Sequence, residues 1–308
     1  MHRFTLRQLE YLVACIEHGS IARAAEVLHV AQPTISVAIS KLEDQFGVQL
    51  LLRHHSQGVT ATASAERILS SARGLLGHAS DLQRQAMATG TSVAGELRLG
   101  SFITLAPVIL PGLISSLAQK FPQISLALHE GTQEFLLDGL LAGRLDVALL
   151  YDLNLPQGLR KTSLAAFPPY VALPAGHSLC AKPQISLADL ARMPMILLDV
   201  PPSRDYFLGL FQAEGLTPTV AYSSPSLELV RGMVGRGLGF SLLVTRPGGD
   251  MTYDGKRIEV RPLTSNPATS QIILASLAGL RPTELLSSFE RTARQFFPAQ
   301  AIDSRLVG

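Results

Sequence analysis

The sequence predicts an α/β protein with a small, helix-rich module at its N-terminus, joined to the rest by one long helix. Three observations predict it. Two short apolar stripes at helical spacing flank a tight turn between Ser20 and Glu43. A single apolar stripe then runs from Ser64 to Ala88. From Glu96 onward, runs that read as strands alternate with runs that read as helices, which implies a parallel sheet covered on both faces.

The chain has 308 residues, enough for two or three domains with sizeable cores. A hydrophobic share of 47% against 16% charged residues excludes a disordered chain. No apolar run reaches membrane-spanning length and the N-terminus does not read as a signal peptide, so a cytoplasmic protein without a membrane partner is expected. The net charge is only +2. In the N-terminal stretch, Arg3, Arg7, Arg23, Lys41 and Arg53 are balanced by Glu10, Glu17, Glu26, Glu43 and Asp44. Any affinity for nucleic acid must come from placed cations and helix ends, and from two copies acting together. The two cysteines, Cys15 on an apolar helix face and Cys180 in a loop, read as buried or idle thiols rather than a disulfide pair. The eight histidines show no metal-ligand spacing, and neither a metal nor a cofactor is expected.

Taken in order, Leu6, Leu9, Leu12, Val13 and Ile16 mark a first helix over Leu6 to Glu17. The next stripe is Ile21, Ala24, Ala25 and Leu28, and the one after it Ile35, Ile39, Leu42 and Phe46. Between them the pattern breaks at His29 to Gln32, and Pro33 opens the following helix, where its missing N–H costs nothing. Two short helices around such a turn describe a helix-turn-helix, whose second helix enters the DNA major groove. Gln32, Pro33, Thr34, Ser36, Ser40 and Lys41 lie outside the apolar stripe and are candidate DNA contacts. Gln can pair with adenine, Ser and Thr with several bases, and the Thr34 methyl with thymine. The plainer alternative is a helical hairpin with a solvated polar face. Gly47 closes the helix. Val48, Leu50 and Leu52, then Val59 to Thr62, read as two strands around a turn at Ser56-Gln57-Gly58, the wing of a winged helix. Arg53 beside its tip is either a phosphate or minor-groove contact or an exposed charge.

The stripe of Ile68, Ala72, Leu75, Leu76, Ala79, Leu82 and Ala86 needs a partner, either its own domain or a second chain. Small polar residues from Ala88 to Gly95 mark a boundary. Strands are then expected at Glu96–Gly100, Ile124–His129, Leu145–Leu150, Met195–Leu198, Thr219–Tyr222, Gly239–Val244, Ile258–Arg261 and Ile272–Leu277, with a crossing strand near Phe167–Ala172. Helices are expected at Pro107–Lys120, Phe135–Ala142, Tyr206–Glu214, Ser226–Arg236 and Thr283–Phe297. Ligands of open α/β sheets sit beyond the carboxyl ends of strands. There lie Ser101, Thr104, Thr132, Tyr151 and Ser203. Helix N-termini beside them suit acceptor-rich or anionic ligands, although Ser and Thr at such places also serve simply as caps. Gly235-Arg236-Gly237-Leu238-Gly239 follows a helix and precedes a strand, the reverse of a dinucleotide fingerprint. No nucleophile elbow, P-loop or metal motif occurs, so an enzyme is not expected.

An ordered set of short motifs resembles the N-terminal domain of the LysR-type transcriptional regulators: Leu6-Arg7-Gln8-Leu9-Glu10-Tyr11-Leu12, Gly19-Ser20-Ile21-Ala22-Arg23-Ala24-Ala25, Gln32-Pro33-Thr34-Ile35-Ser36, Lys41-Leu42-Glu43 and Phe46-Gly47-Val48-Gln49-Leu50. The resemblance implies a winged helix-turn-helix over 1–63, a dimerising linker helix and hinge over 64–94, and an effector-binding domain over 95–308. That domain would be two-lobed, like a periplasmic binding protein, with lobe I at about 95–165 and 267–308 and lobe II at about 166–266, the chain crossing near Ala165 and Asn266. It implies effector contacts at Ser101, Thr104, Thr132, Tyr151 and Ser203, and a DNA role for Arg53. The partners implied are double-stranded DNA, a small polar or anionic metabolite, a second copy as dimer or tetramer, and RNA polymerase. Leu51 replaces a usual phenylalanine, Ala65 a usual glycine, and Val37 an arginine that many members carry. Tyr151 stands where some relatives that bind aromatic acids carry a cation, and with only Cys180 in the effector region the paired-cysteine oxidant sensing of some members is not expected. The alternatives are a cytosolic solute-binding module or an α/β enzyme without DNA function. A solute-binding module does not explain the winged helix.

Overall fold

The computed structural model describes residues 4–54, 58–87, 93–264, 270–279 and 281–301. The chain opens with α1 (Leu6–His18), α2 (Ile21–Val27) and α3 (Gln32–Phe46), then β1 (Leu51–His54) and β2 (Gly58–Ala61). The first two helices begin at side-chain caps, and α3 begins at Gln32, one residue before Pro33, without one. Thr5 and Gln8 form a reciprocal capping box on α1, and the Ser20 hydroxyl accepts from the Arg23 N–H at the start of α2. Gly19 and Gly47 end α1 and α3 in the left-handed conformation. His29 takes a positive φ of 52° in the turn between α2 and α3, where the apolar pattern breaks.

A separate core holds this unit. Leu12, Cys15, Ala24, Ile35, Ile39, Leu42 and Leu50 are fully buried, with Leu51 and Val59 from the hairpin. The hairpin is pinned twice. Glu43 Oε1 accepts from the backbone N–H groups of Leu50 and Leu51 at 2.8 and 3.1 Å. On the other side, the Val59 N–H donates to the Gly19 carbonyl at 2.8 Å. Gly58 lies so close that a Cβ there would sit 2.1 Å from that carbonyl oxygen. The tip, His55 to Gln57, lies outside the described residues.

The long helix α4 (Ala63–Met87) follows. Ala65, Leu69 and Ala72 bury against the N-terminal core, while Leu75 and Leu82 farther along are exposed. The expected boundary at Ala88 to Gly95 lies largely outside the described residues.

The remainder is built on a five-stranded sheet in the order β4-β3-β5-β12-β6, from β3 (Gly95–Phe102), β4 (Ile124–Gly131), β5 (Val147–Tyr151), β6 (Leu159–Phe167) and β12 (Ser270–Leu277). It is flanked by α5 (Ala106–Lys120), α6 (Gln133–Leu141) and α10 (Glu284–Ala301). The first three strands are parallel, but β12 runs antiparallel to both β5 and β6. The sheet is therefore mixed, not purely parallel: the chain returns to it from the second lobe travelling in the opposite direction. The second lobe carries β7 (Tyr170–Pro174) between β10 (Ser241–Leu243) and β11 (Ile258–Pro262), and the parallel pair β8 (Pro194–Leu198) and β9 (Thr219–Ser224). The Phe240 backbone bonds to Pro194 and Ile196, tying β8 to the rest. Its helices are α7 (Leu187–Leu190), α8 (Ser203–Ala213) and α9 (Leu227–Gly235).

What reads in the sequence as one crossing strand is two. β6 stays in the first sheet to Phe167, and Pro168-Pro169 carries the chain across to β7. The first crossing thus lies just past Ala165, which itself pairs with Ile272. Asn266 lies outside the described residues. Among the described residues no helix is long and apolar enough to cross a membrane.

Candidate functional sites: a polar helix face and a closed pocket between lobes

Helix α3 turns its apolar side inward through Ile35, Ile39 and Leu42, all at 0% exposure. The same period leaves Gln32, Pro33, Thr34, Val37, Ser40 and Lys41 exposed and Ser36 half-buried. Val37, an exposed apolar side chain, lies in the middle of this face. Gln8 of α1 donates from Nε2 to the Ala38 carbonyl at 3.3 Å, holding α3 from behind. Arg53 is exposed on β1, opposite Val59 in the hairpin register. One face of the unit thus presents short hydroxyl and amide side chains with Lys41, as a groove-reading surface requires.

The second site lies where the two lobes meet. Thr104 in the turn after β3, Tyr151 at the end of β5 and Ser203 at the start of α8 line one pocket. Tyr206, Thr245 and Ser270 add three more hydroxyls, and Leu153, Leu198, Phe207, Leu227, Leu243 and Val244 form apolar walls. The lining comes from strand ends and helix starts because β12, running antiparallel, begins where β5 finishes. Its free volume is about 10 Å³, roughly room for one water.

Ser101 and Thr132 are not among the lining residues. Ser101 is fully buried in β3, its hydroxyl directed at the Phe102 carbonyl at 3.4 Å. Thr132 is exposed and caps α6, accepting from the Phe135 N–H at 3.4 Å. Tyr206, Thr245 and Ser270 were not among the sequence candidates. Tyr206 stands one turn along α8 from Ser203, a spacing that could have found it. Thr245 follows β10 within the second lobe and Ser270 arrives through the return crossing, and no local pattern announces either.

The pocket is electrically quiet. Among the described residues no charged side chain lines it. Burial pushes the Tyr151 phenol up to about 12, against a smaller opposing effect from its bonds to Thr245 and Thr104. Burial also raises Tyr206, with the Ser270 hydroxyl working the other way. Both stay neutral hydroxyls at physiological pH, able to donate or accept. Three helices, α5, α8 and α9, start at or beside the lining. The Tyr151 ring is fixed edge-on against Phe102 at 5.6 Å.

Neither cysteine resembles a reactive thiol. Burial lifts Cys15 to about 11, and burial followed by the Glu259 carboxylate raises Cys180. Among the described residues no group of three or more His, Cys, Asp or Glu side chains could hold a metal ion.

Comparison with known proteins matches both halves. Residues 6–66 match the model of the bacterial regulatory helix-turn-helix proteins of the lysR family, and residues 90–298 match the LysR substrate binding domain. The DNA-binding transcriptional dual regulator OxyR of Escherichia coli K12 is 35% identical over 239 residues, 77% of this chain and 78% of that protein. HinK, a LysR family transcriptional regulator from Pseudomonas aeruginosa, is similar in structure with a TM-score of 0.64 and 42% identity, over 95% of this chain and 98% of that one. Full-length OxyR C199D from Pseudomonas aeruginosa gives a TM-score of 0.75 and 30% identity, over 95% and 98% of the two chains. These are families of regulators, not of enzymes. With a helix-turn-helix at one end and a substrate-binding domain at the other, the chain belongs to the LysR family of DNA-binding transcriptional regulators.

Proposed function

We propose that this regulator reads DNA through Gln32, Pro33, Thr34, Ser36, Ser40 and Lys41 of α3, with Arg53 on the flanking phosphates. The observation that carries the proposal is the division of α3: three fully buried apolar residues on one side and these exposed polar groups on the other. Two copies pair through the exposed part of α4, where Leu75 and Leu82 have no core to cover them among the described residues. Pairing also answers the charge balance of the N-terminal unit, because each copy alone brings few cations to the phosphates. Dimers, or dimers joined as tetramers, act on the DNA in the cytoplasm and influence RNA polymerase there.

The effector is a small polar or anionic metabolite held between the lobes by Thr104, Tyr151 and Ser203, with Tyr206, Thr245 and Ser270. Hydroxyls and helix N-termini supply donors for its oxygen atoms, and no side-chain cation is required. Ser101 and Thr132 act one step back, as a buried strand residue and a helix cap. A ligand larger than water must first part the lobes, and it shifts the protein only by its different affinity for the two states. Oxidant sensing through a thiol is not supported, since both thiols are raised and lie in separate cores.

The test is a DNase footprint of the full chain on the DNA upstream of its own gene, repeated at rising salt and with candidate metabolites. Two protected half-sites separated by whole helical turns, weakening as salt rises, are expected. Folded protein that retains no DNA at low salt, there or in a genome-wide pull-down, would sink the reading.

A further inference from the structure

Arg73 of α4 joins three parts of the molecule. Its guanidinium donates from Nε and Nη2 to Glu17 Oε1, at 3.2 and 2.9 Å, near the end of α1. It also donates from Nη1 to the Ala142 carbonyl, the residue that closes α6 of the first lobe. The Arg73 side chain is 5% exposed, although the next turns of its helix are half-buried or exposed. Gly143, with φ of 66°, brings this loop against α4 so tightly that a Cβ would lie 3.0 Å from the Ser70 Cα. At its other end, α6 begins with Gln133, whose Nε2 donates to the Leu153 carbonyl at 2.7 Å. Leu153 lines the pocket between the lobes. One nine-residue helix thus runs from the pocket wall to the linker.

We infer that α6 and Arg73 form the coupling between the pocket and the DNA-binding unit, with Arg73 as a positioning residue that sets how that unit is held against the first lobe. The inference rests on the inter-lobe effector site proposed above. The warrant is a contiguous set of rigid parts. Leu136 and Leu140 of α6 are fully buried, so the helix moves as a piece with its strand neighbours. A change at Leu153 pulls on Gln133, and α6 delivers it to the Ala142 carbonyl. Arg73 cannot keep both acceptors if they separate, because its guanidinium is a planar fork of fixed reach. The pair to Glu17 is charge-assisted on both sides, and the bond to Ala142 is charge-assisted from the Arg73 side, so each should be among the stronger polar contacts of the linker.

The test uses the full-length protein, first without DNA, by amide hydrogen exchange. Glu17→Ala removes one acceptor at a half-exposed position and leaves Arg73 its bond to the Ala142 carbonyl, and an unchanged circular dichroism spectrum confirms that the variant is folded. Exchange at Gly143, Arg144 and Leu145, whose N–H groups bond back into the last turn of α6, should rise about 3- to 10-fold. Tyr151→Phe, a change inside the pocket, should alter exchange around Glu17 and Arg73, and that response should vanish in the Glu17→Ala background. Arg73→Lys keeps the charge but not the fork and should behave like Glu17→Ala. Unchanged exchange at the α6 end in Glu17→Ala, or a Tyr151→Phe response that survives it, would overturn the coupling. The second measurement is affinity for the footprinted fragment. Tyr151→Phe and Glu17→Ala should be non-additive there by several-fold. Additive effects on intact binding defeat the coupling alone. Loss of all DNA binding by the wild-type chain defeats the regulator reading instead, and the exchange experiment still decides the coupling.

Discussion

The Tyr151 hydroxyl bonds the Thr245 hydroxyl, and the carbonyl of the same threonine accepts from Tyr170 at 3.1 Å. Tyr151 ends a strand of the first lobe and Tyr170 begins a strand of the second. Thr245 lies just beyond β10 of the second lobe and holds one phenol from each side. Replacing Tyr151 with Phe leaves the ring on Phe102 but strands the buried Thr245 hydroxyl. The cost should be about 1 kcal/mol, read as a lower urea midpoint with an unchanged slope.

The same phenols give the molecule an alkaline limit. Tyr151 is pushed up by burial to about 12 from an ordinary 10.0, and Tyr170 is raised further for the same reason. A phenol that titrates higher in the folded state contributes its full stability below the unfolded value. Unfolding then releases protons, so stability falls as pH rises from about 10 toward 12. Urea midpoints at pH 8, 10 and 11 should decline in that order. The decline should be shallower in Tyr151→Phe, and an equal slope in both proteins would refute the assignment.

Glu43 holds the hairpin to α3. Its carboxylate is the acceptor for two backbone N–H groups, of Leu50 and Leu51, whose side chains are 0% and 1% exposed. Glu43→Ala leaves both donors without that partner and should cost about 2 kcal/mol. The loss should appear in the unfolding of the N-terminal unit, with the larger core unaffected, because the two have separate cores.

Val37 places an apolar side chain, 55% exposed, in the middle of the polar face of α3. Val37→Arg should tighten binding to many DNA sequences and steepen the plot of log affinity against log salt by about 0.9. Lys41→Ala should make the slope shallower by a similar amount. An arginine at 37 that left the slope unchanged would show that this part of α3 does not approach phosphate.

Both thiols should be slow. Iodoacetamide at pH 7.5, followed by mass spectrometry, should label Cys180 more slowly than a free thiol. Cys15, at 0% exposure with its thiol at about 11, should react only after unfolding. Rapid labelling of Cys180 would reopen a redox role.

The helix-turn-helix was legible because its core residues fall at strict helical spacing and because Pro33 and Gly47 sit at the start and end of α3 as their types favour; the caps at Thr5, Ser20 and Gly19 are supplied by the structure. The α/β pattern was legible for strands that are short apolar runs, such as Val147–Tyr151, buried throughout. Strand β6 escaped because it is a half-buried edge strand bearing Arg160 and Lys161, and it joins the sheet through partners more than a hundred residues away. For the same reason Thr104, Tyr151 and Ser203 could be picked out beside strand ends, while Thr245 and Ser270 could not. The place of Ser270 depends on the antiparallel return of β12 and that of Thr245 on where β10 ends beside β7, facts of topology rather than of neighbours. Ser101 and Thr132 show the converse limit, since a strand end fixes a position along the sheet but not the direction of each side chain.

The small size of the inter-lobe pocket sets a clock. Room for roughly one water means that an effector cannot enter the arrangement described here; it waits for the lobes to part. Raising its concentration would then speed association only until the opening step takes over, after which the rate stays flat. A cell relying on this regulator would react to a sudden flood of effector no faster than to a moderate rise. The tempo of the response belongs to the hinge, and the concentration of effector decides only how many molecules eventually answer.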